Sequence, residues 1–337
     1  MRANLDTQTL GNTVLKVTPM GLGLAALGRP AYINLGHAED LPSSYQVDAM
    51  REHAHEVLDA AWQAGIRYFD AARSYGRAEE FLSSWLTTRG IRSCGLTVGS
   101  KWGYSYTADW QLQVPAGDKH EVKDHSVPVL NRQIRESRST LGDHLDVYQI
   151  HSATLESDVL GNDEVLSRLA ELRDAGLTIG FSTSGPQQPD TIRKGLAIER
   201  GGRPLFESVQ ATWNVLEQSA CSALAEAHDA GRGVIVKEAL ANGRLTSRNT
   251  NANFRVHNER LYRFARDNGI TIDAIAIACV LRQRWVSVVL SGAASTDHLV
   301  SNLKALDLVE LAELDELLPF SESAATYWSV RSRLAWN

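Results

Sequence analysis

Three short, largely apolar runs each end in an ionisable residue. Ile66-Arg67-Tyr68-Phe69 stops at Asp70, Leu96-Thr97-Val98-Gly99-Ser100 at Lys101, and Leu145-Asp146-Val147-Tyr148-Gln149-Ile150 at His151; Tyr75 follows Asp70 by five residues. A phenol, an ammonium, a carboxylate and an imidazole brought together can pass a proton to or from a carbonyl oxygen during hydride transfer. A free tyrosine has a pKa near ~10, about three units too weak an acid for work near neutrality, a deficit of roughly 4 kcal/mol. An ammonium at ~4 Å supplies about that much at an effective dielectric of ~20. Tyr75 beside Lys101 is therefore expected as the acid, with Lys101 lowering its pKa. Asp70 would hold Lys101 charged and in place, and His151 would donate a hydrogen bond to the carbonyl oxygen. Each residue alone has a plainer reading as a structural ion pair or a buried ring. Their conjunction at three run ends argues for a site.

The elements must then bring these ends together. Runs of this length read as buried strands, and eight of them occur, at about 19–24, 66–69, 95–100, 145–150, 177–182, 206–210, 233–237 and 285–290. Helix-like stretches alternate with them. In 47–64, Val47, Met50, Ala54, Val57, Leu58, Ala61 and Trp62 recur at spacings of three and four. The 162–175 stretch repeats the pattern and ends at Gly176, and a helix over 217–230 ends at Gly231. Residues 8–19 alternate around Gly11-Asn12 as a small hairpin. The pattern predicts a single domain over 1–337, an (α/β)8 TIM barrel with a short N-terminal β-hairpin. Functional residues then belong at the C-terminal strand ends, where Asp70, Lys101 and His151 fall. Two connections, 25–45 and 102–127, are long enough to act as substrate lids on that face.

Other functions are disfavoured. The net charge is −6, with no basic run to meet nucleic acid, and the apolar stretches are short of a membrane span. Cys94, Cys221 and Cys279 are odd in number and widely spaced, which fits a reducing cytoplasm. The N-terminus has no apolar signal region. Gly21-Leu22-Gly23-Leu24-Ala25-Ala26, with Asp40 downstream, imitates a Rossmann fingerprint. That motif needs a helix to start at the glycines, and Gly28, Pro30, Gly36 and Pro42 prevent one. His53 and His55 imitate a metallohydrolase pair but sit in a helical pattern, where residues two apart diverge. His120, Glu121 and His125 lie on a polar loop, so no metal is expected.

The stretch Gly65-Ile66-Arg67-Tyr68-Phe69-Asp70-Ala71-Ala72-Arg73-Ser74-Tyr75-Gly76-Arg77-Ala78-Glu79 resembles the G-x-x-x-x-D-T-A-x-x-Y-G-x-x-E signature of the aldo-keto reductase superfamily, with Ala71 in place of the usual Thr. The resemblance runs from the hairpin to about Leu306. It implies Asp70, Tyr75, Lys101 and His151 as a catalytic tetrad, and NADP(H) as the default cofactor with NAD(H) as the alternative. It also implies Ser182 (followed by Thr183 where the family has Asn) and Gln210 at the carboxamide, and Ser291, Gly292, Ser295 and Asn302 at the pyrophosphate and adenosine. Lys237 takes the place of the usual stacking aromatic, where its alkyl stem could pack. The loop after strand eight has no Lys or Arg for a 2′-phosphate, and Asp297 would repel one placed near it.

The substrate is expected to be a small carbonyl compound or sugar in an aromatic-lined pocket, with Trp102 and Trp213 on its wall and Tyr327 and Trp328 nearby. Arg73 would meet an acidic or polyhydroxylated substrate if it points inward. A nicotinamide-binding regulatory subunit without turnover is the alternative function.

Overall fold

Strand-forming segments with small or branched residues on both faces must be covered on both faces, and that favours a parallel sheet closed on itself. The computed structural model describes residues 5–42, 44–115 and 117–336. Its eight barrel strands are β1 (Met20–Gly23), β2 (Tyr68–Asp70), β3 (Thr97–Trp102), β4 (Leu145–Ala153), β5 (Thr178–Thr183), β6 (Ser208–Thr212), β7 (Gly233–Lys237) and β8 (Val288–Ser291). Each pairs in parallel with its sequence neighbours, and β8 pairs with β1 to close the barrel. The strands expected from the sequence are all present. Those carrying the charged residues run further than expected. Asp70, Lys101 and His151 lie inside the paired strands because their side chains find polar partners there.

Helices cover the outside: α1 (Val47–Gln63), α2 (Ala78–Thr88), α3 (Val127–Leu141), α4 (Asp163–Asp174), α5 (Gln188–Leu196) and α6 (Cys221–Asp229). Between β7 and β8 lie α7 (Ala252–His257), α8 (Glu259–Asn268) and α9 (Ile272–Leu281); α10 (Thr296–Leu303) and α11 (Ala324–Arg331) follow β8. In α1, Met50, Ala54, Val57, Leu58 and Ala61 form the buried stripe. The sixth helix starts at Cys221 rather than 217. The Asn214 side chain accepts from the Leu216 and Glu217 amides and fixes a turn there instead.

The N-terminal hairpin pairs Gln8–Thr9 with Lys16–Val17. Its Leu10 and Val17 pack with Tyr68, Val147, Ile235, Val288 and Leu290 inside the barrel. Gln8 donates to the Ser287 carbonyl, and Thr97 donates to the Lys16 carbonyl, both beside strand beginnings. The hairpin thus closes the N-terminal mouth and leaves the C-terminal one open. At that mouth the 25–45 connection carries a short 3₁₀ turn (His37–Glu39). The 102–127 connection folds into a hairpin of Tyr104–Tyr106 with Glu121–Lys123. Among the described residues, no helix is long and apolar enough to cross a membrane.

Candidate active site

Barrel register brings the three strand ends together. The Leu24 amide donates to the Asp70 carbonyl, the Ala71 amide to Gly99, and the Arg73 amide to Lys101, so β1, β2 and β3 are laced at their C-terminal ends. The Lys101 ammonium is buried; it donates to Asp70 Oδ2 and, at 3.0 Å, to the Ala71 carbonyl. Asp70 Oδ1 also accepts from Gln210 Nε2 at 3.1 Å and lies 3.4 Å from the Tyr68 hydroxyl. Lys101 Nζ sits 4.9 Å from the centre of the Tyr75 ring, and Tyr75 meets His151 edge-on at 5.4 Å. A buried ammonium with a carboxylate and a carbonyl as partners is a stable pair, and removing one partner would strand the other charge.

The titration behaviour differs from the sequence expectation at Tyr75. Its enclosed surroundings, with Asp70 adding, push the phenol well above its ordinary value of 10.0. Burial is the larger cause, and the net shift is upward although the Lys101 ammonium lies at the ring face. Tyr75 therefore holds its proton at neutral pH. His151 is pushed well below 6.5, by burial first and then by Lys101 and Lys237, and is neutral. Ser74 Oγ lies 3.4 Å from His151 Nδ1. A Ser74 hydroxyl donating there would leave the ring proton on Nε2.

A cavity of about 520 Å³ opens from these groups. Tyr75 and His151 stand at one end, Gln210, Ser291 and Gly292 along the wall, and His298, Ser301 and Asn302 at the other. Two features fit a nicotinamide dinucleotide. Gln210 Oε1 is buried with no hydrogen-bond partner, which suits the amide of a carboxamide. A Cβ added at Gly292 would meet nothing within 4 Å, so open space lies against that backbone. Asn302 and Ser291 are joined by a 2.9 Å hydrogen bond.

Lys237 lines the same cavity. It donates to Thr212 Oγ1 at 2.7 Å and lies 3.9 Å from Glu238. Burial pulls its ammonium from 10.5 down to about 8, partly opposed by Glu238. Burial alone would raise Glu238, but Arg331 and Lys237 overcome it and bring the carboxyl to about 2. Arg331 donates to Glu238 Oε1 through Nε at 2.9 Å.

The remaining expected residues fall elsewhere. Ser182 is buried and accepts from the Ser152 amide at 2.8 Å, and Thr183 bonds Gln188 at 3.0 Å. Both stand behind the wall, and it is Ser152 that lines the cavity. Ser295 caps α10 by accepting from the His298 amide at 3.3 Å. Trp102 packs edge-on to His125 at 5.6 Å and Trp213 edge-on to Trp285 at 5.5 Å; both are fully buried and do not line the cavity. Tyr327 and Trp328 are likewise buried. Arg73 pairs with Glu79 and Glu136 rather than pointing inward. His53 bonds the Ala294 carbonyl and His55 Ser84. Arg29, Tyr32, Glu238, Arg331 and Trp336 also line the cavity and were not expected from the sequence. Only Glu238 carried a signal: Val234-Ile235-Val236 stops at Lys237-Glu238, the same pattern that marked the other three strand ends.

Barrel and site together define a (β/α)8 protein whose ionisable residues gather at the C-terminal mouth, beside an open cavity. The chain belongs to the aldo/keto reductase family, whose model matches residues 19–317. It is 26% identical over 333 residues to pyridoxal 4-dehydrogenase of Microbacterium luteolum, covering 88% of this chain and 92% of that protein. It is 24% identical over 337 residues to a rice protein (Oryza sativa subsp. japonica) named "Probable voltage-gated potassium channel subunit beta", covering 91% and 93%. A solved holo aldo-keto reductase from Bacillus halodurans shares the fold, with a TM-score of 0.72 and 21% identity over 95% of this chain and 98% of that one.

Proposed function

We propose that this protein is an NAD(P)H-dependent oxidoreductase of one barrel domain that interconverts aldehydes or ketones with alcohols. The observation that carries the reading is the set of Tyr75, His151 and the buried Lys101–Asp70 pair at one end of the cavity whose wall holds the orphaned Gln210 oxygen. The bound nicotinamide supplies or accepts the hydride. The rest is done by the chain. His151 Nε2–H donates to the carbonyl oxygen and orients it. As that oxygen gains negative charge it becomes a far stronger base, and Tyr75 gives up its phenolic proton to it. The Lys101 ammonium at the ring face offsets the charge left on Tyr75, and Asp70 keeps the ammonium in place. The groups around the substrate end (Arg29, Tyr32, Trp336 and the Glu238–Arg331 pair) combine donors with aromatic faces and suit a small polar carbonyl compound or a sugar.

A titration with NADPH and NADH, followed by a panel of aldehydes, ketones and sugars with the tighter cofactor, tests this. Tyr75→Phe is expected to lower kcat by about 10²–10⁴-fold while leaving cofactor Kd unchanged. Full kcat in that variant makes the proton-donor assignment wrong. A second reading is a nicotinamide-sensing subunit without turnover, supported by the likeness to the channel-subunit protein. Tight cofactor binding with no turnover of any panel member would select it.

A further inference from the structure

The far end of the cavity holds Asp40, contributed by the long 25–45 connection. Its side chain is 4% exposed. Oδ1 accepts from Arg248 Nη2 and lies 3.5 Å from His298 Nε2, while Oδ2 is buried without any hydrogen-bond partner. A buried carboxylate oxygen lacking a donor is costly, and a bound hydroxyl reached by a small side-chain rotation would relieve it. Arg248 is already committed, since it also donates to the Gly36 carbonyl at 2.7 Å and to Glu39 Oε2 at 2.9 Å. Asp273 lines the same end. Among the described residues lining this end, Arg248 is the single Lys or Arg. One paired cation among three carboxylates is a poor receptor for a phosphate dianion and a good one for a neutral diol.

We propose that Asp40 reads the adenosine ribose of the dinucleotide, accepting a hydrogen bond from its 2′-hydroxyl, and thereby selects NAD(H) over NADP(H). The inference rests on the preceding reading that the nicotinamide lies by Tyr75, which leaves the adenosine half for the His298–Asn302 end. The acid comes from the connection after β1, not from a glycine-initiated helix, since among the described residues no helix starts before Val47 apart from the 3₁₀ turn at His37–Glu39. A 2′-phosphate would stand against Asp40 and would have to draw Arg248 away from it.

The test is binding, not turnover. The full chain is titrated with NADH and NADPH by nicotinamide fluorescence, and with ADP-ribose and 2′-phospho-ADP-ribose by calorimetry. The unphosphorylated member of each pair is expected to bind at least about tenfold tighter, the scale of one charge-assisted hydrogen bond. Asp40→Asn and Asp40→Ser are expected to shift that ratio at least about tenfold toward the phosphorylated ligands, because Arg248 is released. If the variants do not fold, the wild-type ratios for the four ligands still decide. Equal or tighter binding of the phosphorylated ligands, or folded variants with an unchanged ratio, overturns this inference alone. Failure of all four to bind overturns it together with the oxidoreductase reading.

Discussion

At Lys237 a cation stands where its burial works against its charge, and the cost has a measurable sign. Its ordinary value of 10.5 falls to about 8 in the folded protein. Between those values the unfolded chain holds a proton that the folded chain does not, so Lys237 makes stability rise with pH across that window, by about 1.4 kcal/mol per unit. Below about pH 8 both states are protonated and the contribution is flat. Lys237→Met removes this component and leaves the other titrating groups in place. Urea unfolding of both proteins between about pH 7.5 and 10 should show the stability of wild type relative to the variant climbing above pH 8. A difference that stays level across that range would mean Lys237 is not depressed. The residue scale is also where the sequence was most and least informative. Asp70, Lys101 and His151 were visible because a charge ending an apolar run is rare, and Tyr75 because the family signature carries it. The phenol's response was not visible. It depends first on how completely the fold encloses the ring and then on the nearby Asp70 carboxylate, and burial of that kind is a tertiary property.

At the scale of elements, the 25–45 connection docks directly on the turn that carries Tyr75. The Arg77 amide donates to the Gly28 carbonyl at 2.7 Å, and Gly76 takes a φ of +59° against Gly28. A Cβ at Gly28 would collide with the Tyr75 carbonyl and with Ala78, both fixed by backbone. Gly28→Ala should therefore move the connection or the Tyr75 turn. We expect a kcat loss of at least about tenfold, on the reasoning that small displacements of positioned groups cost that much or more. The far-UV spectrum should stay that of wild type, since β1 is held by its ladders to β2 and β8 and α2 by its buried Phe81, Leu82, Trp85 and Leu86. Wild-type kcat in a folded Gly28→Ala protein would show that the two segments are not coupled. The strands and covering helices were legible because their periodicities are set by local burial. The start of α6 was not, because Asn214 side-chain bonds outcompete the helical pattern of 217–220. Trp102 and Trp213 were misplaced for a related reason: an aromatic next to a site has the same sequence signature whether it faces the cavity or the core.

At the scale of the whole molecule, one buried cation ties the separate pieces of the rim. Arg29, 2% exposed, donates from Nη1 to the Ser74 carbonyl at 2.8 Å and to Glu121 Oε2 at 2.9 Å. Its guanidinium lies 4.7 Å from the Trp336 ring, 5.2 Å from Tyr32 and 5.5 Å from Tyr75. Trp336 in turn stacks on His120 at 4.4 Å. The connection after β1, the hairpin of the 102–127 connection, the Tyr75 turn and the C-terminal segment thus share a single hub, whereas the barrel is held by its own core. Arg29→Met keeps much of the packing volume but leaves Glu121 and the Ser74 carbonyl without their partner, a loss of about 3–5 kcal/mol for a buried pair broken on one side. Much of that loss should be local, because the rim can open without unfolding the strands. Hydrogen exchange is expected to accelerate in 28–36 and 104–123 while amides of β3, β4 and β5 keep wild-type protection, and substrate KM should rise more than cofactor Kd. Uniformly faster exchange across rim and barrel would show instead that Arg29 supports the fold as a whole and that the rim is not a separate unit.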